Sequence, residues 1–339
     1  MMHIQKNISL KSYNTFGIDA TAAYFIEIRT VAELQELLTH SIYKAMPKLI
    51  LGGGSNLLFT QDFDGLVIKI AIEGIEKINE DAQHVYVQAG AGVVWHQLVL
   101  YCIEHAYAGI ENLSLIPGTV GAAPMQNIGA YGVEIKEIFD RLEAVHIDTG
   151  NIRVFTNEEC QFGYRESIFK KELKGQYVIT RVTFRLGKVP AFNTSYGAIQ
   201  DTLKQMNVEN LTLRSVSDAV IYIRRSKLPD PAEIGNAGSF FKNPEIPTKQ
   251  YENLKIHYPQ MPGYVTSDKT VKVPAGWLIE QSGWKGKRLG DTGVHKNQAL
   301  VLVNYGNAKG NEIKALAEEV QKSVLAKFDI QLQPEVNFI

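Results

Sequence analysis

The sequence predicts an α+β fold, and three observations support this prediction. Residues 24–51 have the pattern of a strand, a helix and a second strand, which is a βαβ unit. Segments between residues 142 and 185 alternate in the manner of strands. Two stretches, residues 95–106 and 313–328, carry apolar side chains at helical spacing. Helices and strands are therefore both expected.

The composition limits the class of protein. The chain has 339 residues, enough for two or three domains, with 45% hydrophobic and 21% charged residues. Its formal net charge of -1 argues against nucleic acid or a membrane surface as partner. Residues 1–6 lack a signal-peptide core, no apolar run would span a bilayer, and two cysteines make no disulfide framework. We expect a soluble, cytoplasmic, monomeric enzyme in which Cys102 is a buried thiol.

The βαβ unit begins with a strand at Tyr24–Ile28. Thr30 and Glu33 form a capping box for the helix that follows, and Pro47 ends that helix. The second strand, Lys48–Leu51, leads into a glycine turn. The helix residues predicted to face the core are Leu34, Leu37, Leu38 and Ile42.

The glycine turn consists of Gly52, Gly53, Gly54, Ser55 and Asn56. Three successive glycines suit a backbone that needs positive φ or a close approach by another group. Successive N–H groups in such a turn form an anion site that fits a phosphate or a pyrophosphate. The segment matches neither a Walker A loop, with its lysine, nor G-x-G-x-x-G. A glycine-rich hairpin turn is an equal alternative on these residues alone.

The middle of the chain contains an unusual segment. Strands are predicted at Val67–Ile70 and His84–Gln88, and Ala89–Val93 leads into a helix. The apolar face of that helix consists of Trp95, Leu98, Val99, Cys102, Ile103 and Ala106. The next segment, Leu115–Gly132, is rich in glycine, alanine and proline and has almost no charge. This composition indicates a buried ligand lying across the main chain, and a tightly packed structural loop is the alternative.

The remaining elements follow the same two periodicities. Strands are predicted at Leu142–Ile147, Arg153–Thr156, Tyr177–Arg185, Ala299–Asn304 and, as a closing strand, Gln331–Ile339. A helix after Ser215 exits through Leu228–Pro231, a predicted domain junction. Its apolar face consists of Val216, Ala219, Val220 and Ile223. The face of the last helix consists of Ile313, Leu316, Ala317, Val320 and Val324.

Three polar residues stand out from their surroundings. Arg165 lies among aromatic and apolar residues, where a guanidinium forms a structural salt bridge or grips a carboxylate. Ser239 has neither an adjacent histidine nor a G-x-S-x-G elbow, so a proton donor to a carbanion fits better than a hydrolase nucleophile. Glu335 points away from the apolar side of its strand, and a solvated glutamate is the alternative. The eight histidines show no metal-ligand spacing, so we expect no metal.

Several stretches together resemble the UDP-N-acetylenolpyruvoylglucosamine reductase family over essentially the whole chain. They are Ser12–Gly17, Gly53–Asn56, Ile116–Gly132, Gly163–Phe169, Gly238–Pro244 and Pro334–Val336, and Tyr258–Tyr264 resembles the tyrosine loop of the longer subgroup. The resemblance implies a two-lobed FAD-binding domain of the vanillyl-alcohol-oxidase type and an α+β substrate-binding domain. The implied boundaries are 1–213 for the FAD domain (lobes 1–70 and 71–213), 214–328 for the substrate domain, and 329–339 for a strand returning to the active site.

The resemblance also implies an activity, with FAD and NADPH as cofactors. The activity is reduction of UDP-N-acetylglucosamine enolpyruvate to UDP-N-acetylmuramate, a step of peptidoglycan precursor synthesis that supports cell shape and division. The implied cofactor-binding residues are Gly52, Gly53, Gly54, Ser55, Asn56, Pro117, Gly118, Thr119, Gly121, Ala122, Gln126, Asn127, Ile128, Gly129, Tyr131 and Gly132. Within this set Pro117–Gly132, here called the flavin loop, would wrap the flavin. No sequence motif for NADPH is present, and its use rests on the resemblance.

The resemblance assigns catalytic roles to the three polar residues. Arg165 and Glu335 would meet the negative charge that grows on the substrate, and Ser239 would protonate C2. The implied substrate-binding residues are Tyr164, Tyr196, Lys227, Asn243, Tyr264 and Lys285. Two other functions stay open. A flavin oxidase with another substrate would lack Ser239 together with Asn243, and a non-catalytic nucleotide-binding module would bind ligand without turnover.

Overall fold

The computed structural model describes residues 3–339, which separate into two units. The first unit comprises residues 3–8, 22–53 and 63–225, and the second comprises residues 9–21, 54–62 and 226–339. Within the described residues the α-helices are α1 (Val31–Thr39), α2 (Ser41–Lys44), α3 (Trp95–Glu104), α4 (Gly197–Gln205), α5 (Leu213–Lys227), α6 (Thr248–His257), α7 (Ala275–Gln281) and α8 (Gly310–Phe328).

Both units also contain β-strands. They are β1 (Gln5–Ser9), β2 (Thr21–Ile28), β3 (Lys48–Leu51), β4 (Leu57–Leu58), β5 (Phe63–Ile70), β6 (Ile75–Glu80), β7 (His84–Gly90), β8 (Gly129–Ala130), β9 (Val133–Glu134), β10 (Phe139–His146), β11 (Ile152–Thr156), β12 (Tyr177–Gly187), β13 (Gly235–Ser239), β14 (Glu245–Pro247), β15 (Tyr264–Ser267), β16 (Thr270–Lys272), β17 (Arg288–Leu289), β18 (Thr292–Val294), β19 (Val301–Asn304) and β20 (Asn337–Phe338).

The first unit contains two main sheets. In the sheet ordered β1-β2-β5-β3, strand β5 pairs in parallel with both β2 and β3, so the predicted βαβ unit forms with β5 between its strands. The second sheet, ordered β11-β10-β12-β7-β6, is antiparallel throughout. Helix α3 buries Trp95, Leu98, Val99, Cys102 and Ile103 beside that sheet, and Trp95 meets Phe184 of β12 edge to face at 5.7 Å.

Two helix ends differ from the prediction. The capping box of Thr30 and Glu33 forms, but α1 ends at Thr39 because His40 is extended (ψ 124°) and caps α2 instead. Ile42 therefore lies on α2 and is 62% exposed, and its predicted place on the buried face was wrong. Likewise α3 ends at Glu104, and Ala106 is exposed with a left-handed φ of 58°.

The second unit contains the sheets β13-β19-β18-β17 and β14-β16-β15, and a short parallel pair of β4 with β20. Helix α8 buries its predicted face, Ile313, Leu316, Ala317, Val320 and Val324. The closing segment is less regular than predicted. Only β20 and a bridge between Pro334 and Phe241 are strand-like. Val336 is buried but Phe338 is 39% exposed, so the apolar side of this segment is buried at Val336 alone.

Candidate active site

The glycine turn brings two stretches of the first unit close together. Strand β3 ends at Leu51, and a Cβ added to Gly52 would lie 2.7 Å from Oγ1 of Thr119. A Cβ added to Gly53 would lie 2.8 Å from Cα of Gly118. Any side chain at position 52 or 53 would collide with the flavin loop, so the close approach predicted for these glycines is confirmed.

The hydroxyl of Thr119 is buried, and Oγ1 has no hydrogen-bond partner within residues 3–339. A buried polar group that lacks a partner costs about 1–3 kcal/mol. This hydroxyl lies against Gly52, in the turn predicted to bind a pyrophosphate. A ligand oxygen at this point would satisfy it.

A lysine also contacts the turn, and the sequence analysis missed it. Nζ of Lys69, on β5, donates to the carbonyl oxygen of Gly52 at 2.6 Å. Burial lowers the pKa of Lys69, and the nearby carboxylates of Glu27 and Glu73 offset part of that effect. The bond orients the Gly52 peptide and places a cation beside the predicted anion site. The signal was present, because Lys69 is the one polar residue of the predicted strand Val67–Ile70.

The rest of the turn, Gly54, Ser55 and Asn56, belongs to the second unit. Gly54 has a φ of 63°, and a Cβ there would collide with the carbonyl oxygen of Tyr13, so both conformation and space require glycine. The side-chain amide of Asn56 donates to the carbonyl oxygen of Glu335 at 3.3 Å. This bond connects the end of the turn to a predicted catalytic residue of the same unit.

The flavin loop folds as two 3₁₀ turns followed by β8, which pairs with β9 just after the loop. The backbone N–H groups of Val120 and Gly121 donate to the carbonyl oxygens of Val93 (2.9 Å) and Ala91 (3.0 Å). A Cβ on Gly121 would lie 2.5 Å from Cβ of Ala91. The small residues of this loop therefore allow it to pack directly on the backbone that precedes α3.

Asn127 organises the flavin loop with its side chain. It is fully buried in a left-handed conformation (φ 45°). Its amide nitrogen donates to the carbonyl oxygen of Gly163 and to Oε2 of Glu134, both at 3.0 Å, and Oδ1 accepts from the backbone N–H of Lys136 at 3.1 Å. Both amide hydrogens thus have acceptors in the protein. A role in cofactor binding would fall to the backbone of Asn127.

Arg165 is bound to the main chain of the same loop. It has a left-handed φ of 55°, and Nη2 donates to the carbonyl oxygen of Gly129 at 2.8 Å. The guanidinium carbon lies 5.7 Å from the ring centre of Tyr164. An arginine held this way presents a fixed cation at the edge of the flavin loop. Of the predicted substrate-binding residues, Tyr164 and Tyr196 belong to this first unit, and the Tyr196 ring meets that of Tyr131 edge to face at 5.3 Å.

Ser239 and Glu335 are brought together within the second unit. Ser239 is the exposed last residue of β13, where a register shift follows Asn236. Oδ1 of Asn236 accepts from the N–H of Gly238, whose φ is 68°. The next residue, Phe240, accepts from the backbone N–H of Glu335 at 2.8 Å. A bulge of this kind re-aims a side chain, and here the re-aimed side chain is the predicted proton donor.

The other predicted substrate residues lie on separate elements of the second unit. Oδ1 of Asn243 accepts from the N–H of Ala275 at the start of α7, so this side chain also supports the fold. Nζ of Lys285 is 2.8 Å from Oε1 of Glu280. Tyr264 begins β15 and is 64% exposed, and Lys227 ends α5 at the surface.

Comparisons with known proteins identify the family. A family model of the FAD binding domain matches residues 22–156, and one of the UDP-N-acetylenolpyruvoylglucosamine reductase C-terminal domain matches residues 230–339. The reductases of that name from Amoebophilus asiaticus and Flavobacterium johnsoniae are 56% and 55% identical to this chain, with 100% of each chain covered. The chain belongs to the UDP-N-acetylenolpyruvoylglucosamine reductase family.

A solved structure supports the fold. The crystal structure of the UDP-N-acetylenolpyruvylglucosamine reductase from Thermus caldophilus matches 100% of this chain and 99% of its own with a TM-score of 0.71, at 24% identity. The fold is therefore the α+β fold of that family, with a two-lobed FAD-binding domain. Within residues 3–339, no helix combines the length and apolar character needed to cross a membrane.

Membership of the UDP-N-acetylenolpyruvoylglucosamine reductase family makes this chain an FAD-dependent oxidoreductase of peptidoglycan precursor synthesis, with NADPH as reductant. The residues of the first unit fit FAD. Gly52 and Gly53 allow the turn to lie directly against Gly118 and Thr119, Lys69 supplies a cation, and the unsatisfied hydroxyl of Thr119 lies in the same place. The family's small-molecule substrate is a UDP-sugar.

Proposed function

We propose that this chain reduces the enolpyruvyl group of UDP-N-acetylglucosamine enolpyruvate to UDP-N-acetylmuramate, with Arg165, Ser239 and Glu335 as its catalytic residues. The single observation that carries the assignment of residues is the bond from the Glu335 N–H to the Phe240 carbonyl. It places the backbone of Glu335 beside Phe240, the residue that follows the predicted proton donor Ser239, although the two segments are remote in sequence. A glutamate that is only solvated, the alternative for Glu335, would not need this backbone bond to Phe240.

The chemistry requires two additions across one double bond. FAD, held by the first unit and reduced by NADPH, would supply a hydride for the terminal methylene carbon. Negative charge then grows at C2 and spreads into the substrate carboxylate, where the guanidinium of Arg165 stabilises it. The hydroxyl of Ser239 transfers its proton to C2, which completes the lactyl group, and solvent returns the proton to the serine. The bond from Arg165 to Gly129 restricts the guanidinium, so little reorganisation is needed as the charge develops.

The predicted cofactor residues divide between main-chain and side-chain roles in this proposal. Gly52, Gly53 and the backbone of the flavin loop would bind the pyrophosphate and the flavin, supported by Thr119 and Lys69. The predicted substrate residues Tyr164, Tyr196, Lys227, Asn243, Tyr264 and Lys285 would bind the UDP-sugar. The proposed domains remain 1–213 for FAD, 214–328 for substrate and 329–339 for the returning strand.

We also propose that the enzyme acts as a monomer in the cytoplasm. The location follows from its chemistry, because both the nucleotide sugar and NADPH are charged metabolites that do not cross a bilayer unaided. The near-neutral net charge of -1 supplies no general attraction to anionic partners. Light scattering of the purified protein tests the monomer directly.

The visible spectrum of the purified protein tests the proposed function. We expect a yellow protein with FAD bound non-covalently, because residues 52–56 and the flavin loop contain no histidine or cysteine to form a covalent link. NADPH should bleach the flavin band, and UDP-N-acetylglucosamine enolpyruvate should restore it. Denaturation should release all of the flavin as FAD. A colourless protein that cannot be reconstituted with FAD would refute the proposal.

Lys285→Ala is expected to raise the KM for the UDP-sugar about tenfold without changing the FAD content. A charge-assisted bond to phosphate would by itself give a larger change in KM. Glu280 already pairs with Lys285 at 2.8 Å and competes with the ligand, so the expected change is smaller. Steady-state kinetics measures the change. Lys287→Ala is the matched control, since this exposed lysine lies over the ring of Trp284. An unchanged KM in Lys285→Ala would make it a surface residue only.

A further inference from the structure

Leu115 has a strained backbone two residues before the flavin loop. Its φ of 58° is left-handed, a conformation in which the Cβ of any residue other than glycine approaches the following carbonyl oxygen. Leucine adopts such a conformation only where its surroundings hold it there. The side chains that hold Leu115 therefore also fix the point at which the chain enters the flavin loop.

Both polar backbone groups of Leu115 are bound by side chains. Its N–H donates to Nδ1 of His96, on α3, at 3.0 Å. Its carbonyl oxygen accepts from Nε of Arg224, on α5, at 3.1 Å. Two helices that are remote in sequence thus hold one peptide position from both sides.

The residues just before Leu115 are bound to the same two helices. The indole N–H of Trp95, on α3, donates to the carbonyl oxygen of Leu113 at 2.9 Å. The hydroxyl of Ser114 donates to the carbonyl oxygen of Glu111 and lies 2.7 Å from the hydroxyl of Ser217, on α5. The two residues that precede Leu115 are therefore also held in place by α3 and α5.

Arg224 also reaches the other end of the flavin loop. Its guanidinium hydrogen-bonds the hydroxyl of Tyr131, which has a left-handed φ of 52°. The Tyr131 carbonyl oxygen accepts from the side-chain amide of Asn112 at 3.0 Å. Burial raises the pKa of Tyr131, so its hydroxyl is neutral at pH 7. One arginine thus connects two left-handed positions, one just before the flavin loop and one near its end.

The bond to His96 needs a neutral imidazole. Nδ1 accepts the Leu115 N–H only while it keeps its lone pair, which places the ring proton on Nε2. Burial lowers the pKa of His96, and the positive charges of Arg225, Arg224 and Arg214 lower it further. The ring is therefore neutral at pH 7, as the hydrogen bond requires.

We propose that His96 and Arg224 are positioning residues for the flavin, which hold Leu115 and Tyr131 in left-handed conformations so that FAD meets a preformed loop. This inference rests on the proposed role of the flavin loop in binding FAD. It predicts that the affinity for FAD depends on the fraction of protein molecules in which the flavin loop has its binding-competent conformation. The apparent dissociation constant rises as that population falls.

Removing either side chain should weaken FAD binding. His96→Leu and Arg224→Met are each expected to raise the Kd of the apoprotein for FAD about tenfold, because the competent loop then falls to roughly a tenth of the population. Quenching of flavin fluorescence on titration with apoprotein measures this Kd. Arg185→Met is the matched control, because Arg185 is exposed on β12 of the same unit and is not among the charges that act on His96. Its Kd should stay within about twofold of wild type.

A glycine at position 115 separates positioning from general stability. Glycine adopts positive φ without strain, so Leu115→Gly removes the need for the His96 bond. We expect His96→Leu to raise the FAD Kd about tenfold in the wild-type background but less than about threefold in the Leu115→Gly background. If His96 only stabilised the fold, glycine would not reduce the effect. Equal losses in the two backgrounds would overturn the proposal.

A second pair of variants serves if His96→Leu does not fold. Asparagine places its side-chain oxygen near the position of Nδ1, whereas glutamine places it near Nε2. His96→Asn should therefore bind FAD like wild type, and His96→Gln should bind it about tenfold more weakly. Identical FAD affinities for the two variants would refute the proposed positioning role of His96. Wild-type apoprotein that binds no FAD would instead refute the proposed function.

Discussion

Ser239→Ala is expected to slow reoxidation of the reduced flavin by the enolpyruvyl substrate about 10²–10⁴-fold, the typical cost of removing a positioned general acid. Reduction of the flavin by NADPH should stay near the wild-type rate, since that half-reaction needs no proton on the sugar. The variant should fold normally. Ser239 is exposed at the end of β13, and the bulge that aims it is stabilised by Asn236 and Gly238.

Stopped-flow absorbance measures the two half-reactions of Ser239→Ala separately. Ser239→Cys is an informative companion, because a thiol can still donate a proton and should recover part of the reoxidation rate. Ser282→Ala is the control, since the Ser282 hydroxyl donates to the Leu278 carbonyl of its own helix. Equal slowing of both half-reactions would show that Ser239 positions ligands and does not protonate the substrate.

The sequence predicts most local elements because their determinants are local. The capping box of Thr30 and Glu33 lies within four residues and forms as expected. The end of the same helix could not be predicted from periodicity. The apolar spacing continues to Ile42, but His40 adopts an extended conformation and starts a new turn. Periodicity describes a face and carries no information on where the backbone leaves the helix.

The candidate site is less predictable because its geometry depends on contacts between remote residues. The three glycines of the turn are visible in the sequence, but Thr119 and Lys69 contact Gly52 from 67 and 17 residues away. The same holds for His96 and Arg224, which meet at Leu115. Neither belongs to a motif. A resemblance between motifs finds the residues that carry the chemistry and misses those that hold the backbone.

Asn127 shows a second limit of sequence reasoning. The motif around it indicates a residue that matters to cofactor binding. The structure shows that both of its amide hydrogens are used on Gly163 and Glu134. A motif does not distinguish a side chain that contacts a ligand from one that shapes the loop that does. The distinction is physical, because a saturated amide has no donor left for FAD.

Glu335→Gln is expected to lower kcat with the enolpyruvyl substrate about a hundredfold, with little change in the substrate Kd. An ionised carboxylate would repel the negative charge that grows on the substrate, so the role requires Glu335 to hold a proton or the Arg165 guanidinium to lie between the two groups. In either arrangement the carboxyl group meets charge that grows only as the hydride arrives, and its loss affects the transition state more than ground-state binding. The fold should survive. Glu335 is held by its backbone, with its N–H on the Phe240 carbonyl and its carbonyl on the Asn56 amide. Glutamine preserves both bonds and the shape of the side chain.

Single-turnover reoxidation and equilibrium binding of the substrate together decide the role of Glu335. Glu319→Gln, on the exposed side of α8, controls for the loss of one negative charge from the same unit. Flavin content and reduction by NADPH should be normal in both variants. If glutamine at position 335 raises the Kd and leaves reoxidation intact, Glu335 binds the substrate in its ground state. Arg165 and Ser239 would then carry the chemistry without it, since an interaction that is equally strong before and during hydride transfer cannot accelerate that transfer.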